Sequence, residues 1–242
     1  MRLAARPYLQ SVSIKPDAEP DFDSHPHNVP AVRELGQIDF HADVTFFVGE
    51  NGSGKSTVLE GIALALGFGP EGGTRNVQLL KTVESVSSLH ESLRLARSFK
   101  RPADGYFLRA ESFFNVATYM DALPDNRDAP LHPRSHGEAF MQVLTSKFRG
   151  RGLYLLDEPE AALSPNRQLA ALSAIHQLVQ DESQFIIATH SPILLAYPNA
   201  KILLFDGSGI TEVAYEDTEH FAVTRDFLNH YPRRIEQLLV DD

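Results

Sequence analysis

Gly49-Glu50-Asn51-Gly52-Ser53-Gly54-Lys55-Ser56-Thr57 is a run of residue types suited to holding phosphate. A glycine, four residues and then Gly-Lys-Ser is the spacing of a P-loop. Glycines let the backbone curl so that successive N–H groups point into one concavity, and the start of a following helix adds partial positive charge. Asn51, Gly52, Ser53, Gly54, Lys55, Ser56 and Thr57 are therefore expected to bind a nucleotide. Within them, Lys55 is expected to reach the β- and γ-phosphates and the Ser56 hydroxyl to ligate Mg²⁺. A second run, LYLLDEPE (153–160), ends four apolar residues in two adjacent carboxylates. At the end of a strand beside the P-loop, Asp157 is placed to hold Mg²⁺. Side chains alternate along a strand, so Glu158 points differently and is expected to act as general base on water at the γ-phosphate. A phosphotransfer kinase has little use for that second carboxylate, whereas a hydrolase needs it. A third run, ATHSP (188–192), puts His190 at the tip of the next apolar strand, where it is expected to sense the γ-phosphate through a hydrogen bond.

Local patterning supplies the elements that must carry these groups. DVTFFVG (43–49) reads as a buried strand, and KSTVLEGIALALG (55–67) as a helix ended by Gly67. GLYLLDE (152–158), QFIIAT (184–189) and KILLFD (201–206) are apolar strands, and GYFLRAE (105–111) is another strand. YLQSVSI (8–14) alternates like a half-buried strand, and GQIDF (36–40) is a weaker one. Residues 77–100 read as helical, as do 112–123, 138–148 and the tail, 217–240. In SPNRQLAALSAIHQLVQ (164–180), Ser164 is the expected N-cap and Pro165 the first helical residue, with Leu169, Leu172, Ile175 and Val179 as the buried stripe. Strands alternating with helices predict an α/β fold around a mainly parallel sheet, with a small antiparallel part and a helical subdomain.

The 242 residues can bury one good-sized core, and a hydrophobic fraction of 43% is ordinary for a globular chain. Cysteine is absent, which excludes disulfides and Cys-based metal sites and fits a reducing cytoplasm. No apolar run approaches the length of a membrane span, so no direct membrane insertion is expected. A net charge of −10 argues against a surface that grips nucleic acid throughout. The local run RLARSFKR (94–101) leaves nucleic acid open as a partner, although a solvated helix face is the simpler meaning.

The order P-loop, SHGE (135–138), LLDEP (155–159), THSP (189–192) resembles an ATP-binding-cassette (ABC) ATPase domain over residues 36–210. That resemblance implies a P-loop ATPase fold, ATP and Mg²⁺ as ligands, and hydrolysis of ATP to ADP and phosphate. It implies a core formed by 1–75 and 150–242 and a lid, 76–149, carrying the signature loop. It also implies an ATP-dependent homodimer in which Ser135 and Gly137 of that loop complete the opposite subunit's site, and a conformational change passed to an effector protein. His136 and Glu138 depart from the Ser-Gly-Gly-Gln pattern that is usual there. Ser164 stands where transport members usually carry Asp, and the glutamine expected after YFLRAE is missing, leaving Glu111 or Ser112 as substitutes. Phe22, His25 and His27 are candidates for the adenine contact. The wording is similar to the soluble, stand-alone AAA-type branch related to the SMC, break-repair and overcoming-lysogenisation ATPases, which points to DNA repair or phage defence. The 102 positions between Lys55 and Asp157 leave no room for a long SMC-type coiled coil. The alternative is the nucleotide-binding subunit of a transporter with a separate membrane partner.

Overall fold

The computed structural model describes residues 6–75, 87–110 and 136–240. Two sheets organise them. The larger has six strands in the order β5-β6-β7-β3-β8-β9: β5 (Asp104–Arg109), β6 (Gly152–Asp157), β7 (Gln184–Ala188), β3 (Val44–Val48), β8 (Lys201–Asp206) and β9 (Gly209–Val213). All its pairings are parallel except β8 with β9. The smaller is antiparallel, with β1 (Leu9–Ile14) between β2 (Gln37–Asp39) and β4 (Leu93–Arg97). The expected α/β architecture, mainly parallel with a small antiparallel part, is the architecture found.

The central strands read as continuous apolar runs because both faces of the sheet are covered. Every residue of β3, β6 and β7 is buried. On one face, Phe46, Tyr154, Leu156 and Ile187 pack under α4 (His136–Gln142), α5 (Pro165–Gln180) and α6 (Pro192–Leu195). On the other, Phe47, Leu155, Ile186 and Phe205 meet α2 (Lys55–Ala65) and the small sheet. Among the short helices, α1 (Pro30–Arg33) and α3 (Leu89–Ser92) both belong to this second side. Gly67 takes φ +90 directly after the α2 cap, as a helix-ending glycine does. The tail forms α7 (Glu219–Leu238), with a non-helical break at His230 and no buried residue.

Three expectations change. The helix predicted over 77–100 is, in its described part, the short α3 followed by strand β4. Leu93 and Leu95 alternate with polar residues and pair across to Ile14 and Val12, a period of two that the cluster of basic residues obscured. Arg94 and Arg97 accordingly lie on a strand, not on a helix face. In α5 the buried line runs through Ala171, Ala174, Ile175 and Val179, while Leu169 is 55% exposed. Leu169 lies about 120° around the helix from Ile175, so it cannot share that face. Ser164 sits at the N-cap, yet its hydroxyl makes no capping bond. Strand β9 was not anticipated at all. The helix expected at 112–123 lies outside the described residues.

The α5 face gives a direct prediction. Ile175→Ala should destabilise by about 2–5 kcal/mol in urea denaturation, whereas Leu169→Ala should stay within about 0.5 kcal/mol. Equal losses would contradict this packing.

Candidate active site

The loop 49–54 joins the end of β3 to the start of α2. Gly54, at φ +101, is the N-cap of α2, and its Cα lies so close to Val29 that any side chain would strike it. Only glycine satisfies both demands. Lys55 is 4% exposed, and its ammonium donates to the carbonyls of Gly49 (2.7 Å) and Glu50 (2.8 Å). Burial lowers its pKa, a shift opposed by the nearby carboxylates Glu158, Asp157, Glu160 and Glu50. Asn51 and Gly52 are exposed at the loop's crest, and Ser53 and Thr57 are half-buried. The Ser53 Oγ has no hydrogen-bond partner among the described residues.

Across the sheet, the Ser56 hydroxyl donates to Asp157 Oδ1 at 2.9 Å. Asp157 ends β6 and is 6% exposed. Arg109, at the matching position of β5, brings its Nε to 3.7 Å from Asp157 Oδ2 and its Nη1 to 2.8 Å from Glu60 Oε2. The guanidinium thus shares its charge between two carboxylates, one on α2 and one at the site. A serine hydroxyl beside a buried carboxylate is a hard-oxygen donor set that fits Mg²⁺.

The chain then turns sharply. Glu158 adopts φ 49, and its backbone N–H donates to the Ala188 carbonyl at 2.9 Å, which fastens the turn to the end of β7. Its Oε1 lies 3.7 Å from His190 Nε2. His190 is held from behind: Glu160 accepts its backbone N–H (2.6 Å) with one oxygen and the Thr189 hydroxyl (2.7 Å) with the other. Burial raises the Glu160 pKa, while those two donors oppose the rise. The His190 ring is depressed below the ordinary histidine value, first by burial and then by the Lys55 charge. The expected residues Lys55, Ser56, Asp157, Glu158 and His190 therefore converge beyond the C-terminal ends of the central strands β3, β6 and β7.

Other candidates fare differently. Gly137, the second residue of α4, lies against the Ala162 carbonyl and the Arg167 side chain, where a Cβ would collide. Ser135, Glu111 and Ser112 lie outside the described residues. His27 is 7% exposed and bonded to Ser92 Oγ at 3.2 Å, which makes it a packing residue and no adenine platform. Among the described residues no cluster of His, Asp and Glu forms a further metal site, and no helix is long and apolar enough to cross a membrane.

Sequence reading missed three site residues. Arg109 ends an apolar strand with no motif around it. Glu160 looks like more of a charged strand end. His220, whose Nε2 lies 3.0 Å from His190 Nδ1, is 30 positions away in sequence. Only the carboxylate triplet 157, 158 and 160 carried any signal, and that signal did not separate their tasks.

Residues 22–118 match the family model described as an AAA domain, a span that contains the P-loop and ends before the acidic strand. No curated protein matches the chain in sequence. Among solved structures, the chain is similar to an SMC head domain from Thermotoga maritima, at 15% identity and TM-score 0.47, covering 85% of this chain and 99% of that one. It is also similar to cbiO1 from Clostridium perfringens, part of an ABC transporter complex, at 18% identity and TM-score 0.46, covering 85% and 91%. A nucleotide-free ATP-binding cassette from an ABC transporter matches at 18% identity and TM-score 0.46, covering 79% and 88%. Likenesses at this level assign neither substrate nor partner.

Glu160 should matter to the site's framework. Glu160→Ala strands the His190 N–H and the Thr189 hydroxyl, and unfolding free energy should fall by about 1–3 kcal/mol. A change within about 0.5 kcal/mol in chemical denaturation would contradict that role.

Proposed function

We propose that this chain, an ABC-type P-loop ATPase domain by its motif order, its fold and its AAA-domain match, binds ATP with Mg²⁺ and hydrolyses it to ADP and phosphate. The observation that carries the proposal is the convergence of Lys55, the Ser56–Asp157 pair, Glu158 and His190 around one loop. In this reading the N–H groups of residues 51–57 cradle the phosphates, and the buried Lys55 supplies the cation for the β- and γ-phosphates. Ser56 and Asp157 hold the Mg²⁺, which when bound neutralises developing charge on the phosphate oxygens. Arg109 holds the Asp157 carboxylate in place from the neighbouring strand. Glu158 accepts a proton from the attacking water as the bond from the γ-phosphorus to the bridging oxygen breaks, leaving ADP and inorganic phosphate. His190 donates to the terminal phosphate and so reports whether it is still attached.

The reading extends to assembly. The chain forms a head-to-tail dimer around two ATP-Mg²⁺, with Ser135 and Gly137 of one copy completing the site of the other. Gly137 lies in the first turn of α4, where an added Cβ would meet the Ala162 carbonyl and the Arg167 side chain, so the start of this helix packs closely on the segment that follows the acidic strand. Hydrolysis then reopens the dimer and moves an effector protein, in DNA repair or defence against foreign DNA.

The test is Glu158→Gln. The variant should bind ATP-Mg²⁺ with near-wild-type affinity, release phosphate about 100-fold or more slowly, and sediment as a dimer only when ATP is present. Undiminished phosphate release would overturn Glu158 as the base, and a persistent monomer would overturn the dimer.

A further inference from the structure

His190 has two ring nitrogens with different neighbours. Nε2 is buried, faces Glu158 Oε1 at 3.7 Å and has no hydrogen-bond partner among the described residues. Nδ1 meets His220 Nε2 at 3.0 Å, with the two rings tilted by 44°. His220 comes from the first turn of α7, an element that contributes nothing to the core. That turn is nonetheless held in place. Thr218 Oγ1 caps it by accepting from the Phe221 N–H and donates to the Tyr215 carbonyl, and the Tyr215 hydroxyl donates to the Pro192 carbonyl at 2.8 Å. The start of α7 is therefore tied through Thr218 and Tyr215 to the segment that carries His190. His220 also lines a cleft of about 490 Å³ together with Gly49–Ser53 of the P-loop, so it stands at the wall of the nucleotide site.

A hydrogen bond between two neutral imidazoles has one proton and two arrangements. If His190 donates from Nδ1, its Nε2 is a lone pair facing the Glu158 carboxylate, and two acceptors oppose each other. If His220 donates from Nε2, then His190 Nδ1 accepts and its Nε2–H points toward Glu158 and the site. Only the second arrangement leaves no acceptors in conflict. Burial and the Lys55 charge press both rings toward neutrality, and His190 presses His220 the same way. The carboxylates facing them, Glu158 and Glu50 on His190 and Glu50 and Glu219 on His220, pull the other way and are outweighed. We infer that His220 is a positioning residue that donates to His190 Nδ1 and thereby fixes His190 as an Nε2–H donor aimed at the terminal phosphate. The inference rests on the ATPase reading for its purpose, but the arrangement of protons stands apart from it.

The experiment has two arms. Long-range ¹H–¹⁵N spectra of the full chain labelled at histidine, with His190 assigned by the loss of its signals in His190→Ala, read the tautomer directly. Wild type and His220→Gln should show Nε2 protonated and Nδ1 bare and hydrogen-bonded. In His220→Glu, a carboxylate that can only accept should put a proton on Nδ1. A wild-type His190 protonated at Nδ1 would overturn the inference whatever the chain does with ATP. In the second arm, His220→Ala should slow phosphate release roughly 10- to 100-fold with ATP affinity unchanged, the scale of loss for an outer partner of a functional imidazole. His220→Gln should restore most of the rate, and His220→Glu should not. Equal rates in all four proteins would overturn the positioning role. A wild type that never turns over ATP would instead overturn the proposed function, while the spectra still decide the tautomer.

Discussion

Parallel pairing places Arg109, Asp157, Ala188, Phe47 and Leu203 on a single rung across five strands. Asp157 lies on that rung, and the P-loop, Glu158 and His190 lie on the segments that leave it. Phe47 leads into the P-loop, Asp157 and Glu158 terminate one neighbour, and Ala188 leads to His190 two residues later. A slip of one residue in the β3–β7 or β7–β6 pairing would turn a strand's side chains to the opposite face and separate Ser56 from Asp157. The register is held because each of the three central strands is buried on both faces, so a slip would also misplace rings such as Phe46, Phe47 and Tyr154.

Charge is the second constraint. Asp157, Glu158 and Glu160 crowd one turn beside a buried Lys55, and each is managed separately. Asp157 takes the Ser56 hydroxyl and the edge of Arg109. Glu160 is turned inward onto a hydroxyl and a backbone N–H, which makes it a strut for His190 and keeps it from water at the site. Glu158 alone keeps a side chain both half-exposed and unshared with another strong donor, which suits a group that must take up a proton. The strained backbone at Glu158, φ 49, is fastened by its bond to Ala188, so the carboxylate's direction follows from the sheet.

The parts legible in the sequence are those written locally. The P-loop, the apolar strands and the residues at their tips follow from composition and period within a dozen residues, and the structure sets them side by side. What was misread needed a partner from elsewhere. Leu93 and Leu95 look helical until β1 offers them a pairing edge. Leu169 looks buried until the alanines of α5 turn a different face to the sheet. Arg109, Glu160 and His220 owe their roles to contacts spanning 48, 30 and 30 positions, and nothing in the local pattern of any of them announces such a contact.

The proposed ATPase chemistry depends on the Ser56–Asp157 pair as the seat of Mg²⁺ beside bound ATP. The most direct measurement is the affinity for ATP with and without Mg²⁺, in the wild type and in Asp157→Asn. The wild type should bind ATP about tenfold or more tightly with Mg²⁺ present, and Asp157→Asn should lose that dependence while staying folded. An ATP affinity indifferent to Mg²⁺ in the wild type, or an undiminished dependence in Asp157→Asn, would contradict the account.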